Sequence, residues 1–510
     1  MTHEPERPVR EEVQGVALAA EVAGPHDDLT VDEVKNRAVS GTVTLGVRSL
    51  LIFGLGLAAN LVLARLLVPR DFGLVALGTT LITVVRFMSE SGFGAALIGR
   101  AQPPQRDELA GLLALQLAVT IAIAGGFAAV AGPLGREAQV PAVMLIALPL
   151  ASLRLPTALV LERNLSYRTI ATAEVVEALA GYTWAIATVA GGWGVWGLAT
   201  AAPVRTLIGS VVMVALGPLG FLRPRWAWTR IRPLLSFGLR FQATQAVIAA
   251  RDQGLNVGIA AVGGIATLGL WSLAFAAMQV PFLLFFGLWR VSYPAISRLL
   301  EAGEDARPVV ERAIGVVAVA MSPVLVGIIA GADALLPALI GERWSGSASI
   351  LVWASVAMIV HAPVSVPGEG YLLATGRVSK VLLAVAIGAV AWLLVALPLL
   401  RPVGPSAIGL GWLAMAVVEA GLFARWVTQA SGARVISELV RPVAVALAAG
   451  AGGLSVASLA GDDALGGICG VIAAELLLVG GLLALARGPL RATLGLRRRL
   501  RQPSARASSA

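Results

Sequence analysis

The chain has 510 residues, 57% of them hydrophobic and 14% charged, with a mean hydropathy of +0.83 and a formal net charge of +9. A soluble globular chain carries about 25% charged residues, so this composition is that of a polytopic membrane protein. The basic excess reads as cytoplasmic loops facing anionic headgroups, not as a nucleic-acid surface. The single cysteine, Cys469, excludes a disulfide framework or a cysteine metal centre.

Residues 1–36 are polar and acid-rich, with no apolar core of the signal-peptide kind, and read as a cytoplasmic tail. Thr30-Val31-Asp32-Glu33 has the form of a capping box. The segment VDEVKNRAVSGT after it predicts either a short helix on the membrane surface or an extension of the first span.

A helix needs about 20 apolar residues to cross a bilayer. Fourteen such runs are expected, at approximately 42–66, 72–98, 108–132, 139–161, 169–190, 194–217, 235–261, 267–296, 309–331, 346–373, 379–400, 404–428, 438–460 and 465–487. With the N-terminus inside, 27 Lys and Arg fall in inner loops and tails and 5 in outer loops. That bias supports both termini being cytoplasmic. The outer connections are short, such as Gly191–Gly194.

The basic connection FLRPRWAWTRIRP divides the chain. The expected organisation is a tail (1–36), a six-helix lobe (37–220), the linker (221–233) and a second six-helix lobe (234–430). Two additional spans (431–487) and a basic tail (488–510) follow. A repeat links the lobes: a shift of 196 positions places Asn60 on Asn256, Ala64 on Ala260, Gly73 on Gly269 and Leu77 on Leu273. The spacing predicts a duplicated helix pair whose copies face each other across a pathway.

ARLLVPRDFGLVAL (64–77) and SESGFGAALIGR (89–100) resemble the polysaccharide and lipopolysaccharide biosynthesis flippases of the multidrug/oligosaccharidyl-lipid/polysaccharide exporter superfamily. KNRAVSGT (35–42), LWSLAFAAMQVPFLLFFGLWRVSYPAISR (270–298), IGERW (340–344) and LLATGR (372–377) fit in order. The loop Gly263–Thr267 departs from the pattern, and residues beyond about 430 carry no matching motif. The resemblance implies two six-helix bundles around a central cavity in the bacterial inner membrane. It implies a polyprenyl-diphosphate-linked oligosaccharide as substrate, with membrane lipids and other polysaccharide assembly proteins as partners. No cofactor is expected. A multidrug antiporter or a peptidoglycan-precursor flippase would share the fold. A membrane glycan polymerase or ligase would need a sizeable outer loop.

Passing a diphosphate through a membrane calls for a cationic cavity. Seven arginines lie inside spans: Arg48, Arg86, Arg154, Arg205, Arg240, Arg251 and Arg290. Each costs about 2.5–3.5 kcal/mol at a helix centre, and arginine's planar fork suits phosphate. The repeat points to Arg48, Arg86, Arg240, Arg251 and Arg290 as substrate-binding candidates, with Arg154 and Arg205 ranked below them. Arg48 and Arg240 could instead snorkel to the headgroups. Arg86 and Glu90, four residues apart, could neutralise each other. Ion-coupling candidates are Glu90, Asp252, Glu174 and Glu177, with Glu419 a further buried acid; Glu174 and Glu177 share a helix face. In the tenth span Pro363, Pro367, Gly368 and Gly370 predict a broken helix flanked by His361 and Glu369. Pro363, Pro367 and Gly368 are hinge candidates, the alternative being a fixed kink. One histidine outside the N-terminal tail excludes a multi-histidine metal centre, and no catalytic motif stands out.

Overall fold

The structure, a computed structural model, describes residues 31–90, 97, 103–461, 463–486 and 488. Within these, the side chains at 31–39, 41–43, 88–90, 230–231 and 233–252 are outside the description. Thr30 of the expected capping box, residues 1–30 of the expected N-terminal tail and residues 489–510 of the C-terminal tail lie outside the described residues.

α1 (Val31–Leu66) is one helix of 36 residues, about 54 Å long at 1.5 Å per residue. The expected surface segment is thus an extension of the first span. A short turn leads to α2 (Pro69–Glu90). Proline suits a first helical position because its missing N–H would have no partner there. Asp71 closes the turn by accepting from the Val68 N–H at 3.3 Å. α3 (Arg106–Ala131) starts with Glu108 accepting from the Gln105 N–H at 3.0 Å.

The fourth span is broken into α4 (Arg136–Leu145), α5 (Ala147–Ser152) and α6 (Leu155–Arg163). The chain bends by 50° before α6. Pro156 sits in the first turn of α6, where its missing N–H cannot continue the hydrogen-bond ladder of α5. α7 (Tyr167–Thr188) and α8 (Val195–Leu216) are joined by a π-helical turn that Gly192 ends at φ 88°. α9 (Trp228–Glu301) breaks at Gly264, with φ 83° and ψ 168°, inside the expected loop. α10 (Arg307–Ile340), α11 (Ser345–Ala374), α12 (Val378–Val403), α13 (Ser406–Ser431), α14 (Val435–Ala460) and α15 (Ala464–Leu485) follow. There is no strand among the described residues.

Among the described residues, eleven helices are long and apolar enough to cross a membrane, or twelve if the bent pair is one span. The all-helical, multi-pass class stands; the count of fourteen is not established. α2, whose side chains at 88–90 lie outside the description, is not among the eleven. Two expected spans fall within α9; its described side chains supply the apolar run Gln253–Glu301, and most of the expected span at 235–261 lies outside them.

α11 corrects one expectation. It runs helically from Ser345 to Ala374 with Pro363 and Pro367 inside it. Both prolines, Gly368 and Gly370 are buried. With no water to take up the freed carbonyls, neighbouring helices hold such a segment in helical form. Gly370 lies against the Tyr293 backbone, where a Cβ would be 3.4 Å from Tyr293 Cα.

The chain forms two compact units. One comprises Met1–Leu67 and Leu74–Val257; the other comprises Val68–Gly73 and Gly258–Ala510. The division falls inside α9, after the basic connection. In the second unit α14 and α15 pack on α10 through small residues: a Cβ on Gly453 would sit 2.8 Å from Ala330 Cβ, and one on Gly467 3.0 Å from Ala334 Cβ.

Candidate functional site: an arginine–glutamate network and a histidine–glutamate pair

In the first unit the charges converge on α7. Glu174 and Glu177 stand one turn apart there. Arg48 of α1 brings its Nε to 2.6 Å from Glu174 Oε2, with both side chains less than a third exposed. The contact is ionic without hydrogen-bond alignment. Glu177 is buried and has two partners. Arg154, at the start of α6, donates from Nη1 to Glu177 Oε2. Arg205 of α8 places its Nε 3.5 Å from Glu177 Oε1.

Two glycines allow α7 and α8 to come close enough. A Cβ on Gly209 would lie 2.9 Å from Glu177 Cβ, and one on Gly181 2.8 Å from Arg205 Cβ. Three arginines against two carboxylates leave one positive charge. Arg205 retains it in accessible form, with 52% of its side chain exposed while Glu177 keeps 10%.

The second unit holds a different arrangement. His361 of α11 is 2.8 Å, Nε2 to Oε2, from Glu419 of α13. Glu419 is buried, and its Oε1 has no hydrogen-bond partner among the described residues. Gly388 of α12 makes room for it, since a Cβ there would overlap the carboxylate. The Phe285 ring stacks on His361 at 6.1 Å. Glu369 lies two turns further along α11, within electrostatic reach of both His361 and Glu419. The Trp289 indole approaches Glu369 but is not aligned to donate to it.

Of the residues singled out in the sequence, Arg48, Glu174 and Glu177 meet in the first unit. Each of the two carboxylates faces an arginine. Arg86 is exposed on α2, and Arg290 on α9 beside the stacked Trp289 and Tyr293. Glu90, Arg240, Arg251 and Asp252 lie on helical backbone, but their side chains are outside the described residues. Asn256, the repeat partner of Asn60, donates to Thr80 at 3.1 Å. The ranking of Arg154 and Arg205 below the others missed their shared partner. A usable signal existed: α7 carries the acids available inside the fourth to sixth spans, and an intramembrane arginine seeks one. No signal in the sequence pairs His361 with Glu419, 58 residues apart.

A family model described as a polysaccharide biosynthesis protein matches residues 62–349. The lipopolysaccharide biosynthesis protein WzxC of Escherichia coli (strain K12) is 24% identical over 357 residues, covering 68% of this chain and 71% of the relative. The succinoglycan biosynthesis transport protein ExoT of Rhizobium meliloti (strain 1021) is 23% identical over 303 residues, covering 58% and 60%. Among solved structures, the lipid II flippase MurJ in an inward closed conformation superposes with a TM-score of 0.67 at 11% identity, covering 90% of this chain and 100% of that one. An inward-facing multidrug resistance transporter of the MATE family gives 0.54 at 14% identity, covering 78% and 98%. At such identities these two structures speak for the fold alone.

Proposed function

The chain belongs to the polysaccharide biosynthesis protein family, and on that premise we propose that it is a flippase for polyprenyl-diphosphate-linked oligosaccharide. It moves the lipid-linked sugar from the cytoplasmic to the outer leaflet of the bacterial inner membrane by alternating access. The names of WzxC and ExoT, which concern polysaccharide synthesis and transport, support this reading.

The observation that carries it is the network on α7. Arg48, Arg154 and Arg205 outnumber Glu174 and Glu177, and Arg205 presents its guanidinium half exposed. A cation so held within membrane-spanning helices suits an anionic headgroup, and a guanidinium pairs with phosphate through two parallel hydrogen bonds. It suits a cationic drug poorly. A peptidoglycan precursor carries the same diphosphate and is the second reading.

Purified protein in liposomes, given fluorescent undecaprenyl-diphosphate oligosaccharide and in parallel fluorescent lipid II, separates the readings. Outward movement of the oligosaccharide lipid, with lipid II left in place, is the expected result. Movement of lipid II alone selects the second reading, and movement of neither overturns both.

A further inference from the structure

We propose that His361 and Glu419, with the charge of Glu369 nearby, form a proton-binding site within the second compact unit, holding one exchangeable proton. The inference goes beyond the flippase reading and does not depend on the substrate.

The first argument is the state of Glu419. Its Oε2 meets His361 Nε2 at 2.8 Å, while its Oε1 is buried without a partner. An ionised carboxylate with one oxygen unsatisfied is costly in an apolar interior. A structural ion pair would be expected to satisfy both oxygens. Here Oε1 lies against Gly388 of α12, where even a Cβ would overlap it, so no side chain on that helix can donate to it. A proton on the carboxylate removes the cost of that unsatisfied charge.

The second argument is charge. With the imidazole protonated and both carboxylates ionised, the three groups sum to −1. One further proton on either carboxylate brings them to zero. A low-dielectric surrounding penalises the charged form, which favours uptake of that proton. Proton transfer runs from His361 Nε2 to Glu419 Oε2 along the existing hydrogen bond: the N–H bond breaks as the O–H bond forms.

Among the described residues, the charges that act on Glu369 are those of His361 and Glu419. α9 offers Phe285 against the imidazole and Trp289 near Glu369. α12 offers Gly388. Along α12 and α13 the next cations are Lys380, placed over the Trp426 ring at 5.6 Å, and Arg425, which is exposed. A metal is a poorer occupant, because no three His, Cys, Asp or Glu side chains among the described residues are placed to hold one.

The protein has three histidines, and His3 and His26 lie in the N-terminal tail. Replacing both by Gln leaves His361 as the sole reporter. The full-length protein in lipid nanodiscs, labelled with 13C-histidine, is titrated by NMR between about pH 5 and 9. The expected result is a reversible titration whose midpoint moves by about one pH unit in Glu419→Gln and measurably in Glu369→Gln. An imidazole locked in one state across the range would make the pair purely structural and overturn the proposal. So would a midpoint that ignores both substitutions. Should Glu419→Gln fail to fold, the wild-type titration and Glu369→Gln still decide. None of these readings uses a lipid-linked sugar, so failure here is distinguishable from failure of the flippase reading.

Discussion

Gly73 and Gly269 pack backbone against backbone, and they occupy the same place in the two copies of the 196-residue repeat. A Cβ on Gly73 would overlap the carbonyl oxygen of Ile265. One on Gly269 would overlap the carbonyl oxygen of Pro69, the residue that matches Ile265 in the other copy. A contact that maps onto itself when the copies are exchanged has local two-fold character. It explains why both copies keep glycine: a helix start meets a helix start with no space for a side chain. Beside it Phe72 packs edge-on against the buried Trp344 at 5.0 Å. Two motifs far apart in the sequence, RDFG and GERW, thus close one junction within the second unit.

Gly269→Ala should therefore destabilise the protein by about 1–3 kcal/mol, the range for overpacking a tight contact, and Gly73→Ala should do the same. Gly126, on α3, has open space where its Cβ would be. Gly126→Ala should leave stability unchanged or raise it by up to about 1 kcal/mol through helix propensity. Thermal unfolding in a mild detergent measures all three. Equal melting temperatures would remove the backbone contact as a constraint.

The Arg154–Glu177 contact should behave as a buried pair. Glu177→Gln leaves Arg154 without its acid and should cost about 3 kcal/mol. The double variant Arg154→Met/Glu177→Gln should recover part of that loss. The Arg48–Glu174 pair, with about 29% and 28% of its side chains exposed, should be worth less than about 1 kcal/mol. A double-mutant cycle read by denaturation reports the coupling directly. Additive losses at Arg154 and Glu177 would mean the two do not depend on each other.

Much of the fold was legible in the sequence because apolar length and arginine placement follow from the bilayer itself. The chain breaks at Gly264 where the sequence placed a loop. The continuity of α11 was not legible. Proline removes one hydrogen bond, but the burial that holds Pro363 and Pro367 helical comes from neighbouring helices. The sites were the least legible part. Arg154, Glu177 and Arg205 come from three helices whose glycines, Gly181 and Gly209, decide which side chains meet.

Arg205→Ala tests the proposed role of the network without removing a buried group. Its side chain is half exposed and its contact with Glu177 is 3.5 Å, so folding should be little changed. A charge-assisted hydrogen bond contributes about 1.5–3 kcal/mol, so transport of fluorescent undecaprenyl-diphosphate oligosaccharide should fall roughly tenfold to a hundredfold. Arg205→Lys should restore it in part, because lysine keeps the charge but loses the two-pronged geometry. Normal transport by Arg205→Ala in folded protein would place the headgroup elsewhere.

Pro363 and Pro367 distinguish a fixed kink from a moving hinge. Both are buried within a continuous α11, and Gly368 next to them faces Phe423, with a Cβ there expected 3.4 Å from Phe423 Cβ. A segment packed this closely should act as a rigid wedge. Pro363→Ala and Pro367→Ala each regain a backbone hydrogen bond but empty part of a packed space, so the net stability change should stay within about 2 kcal/mol. Transport per folded molecule, measured in liposomes after correction for reconstituted protein, should remain within about twofold of the unsubstituted chain. A variant that folds normally yet loses transport would contradict the rigid wedge and make this turn of α11 part of the alternating motion.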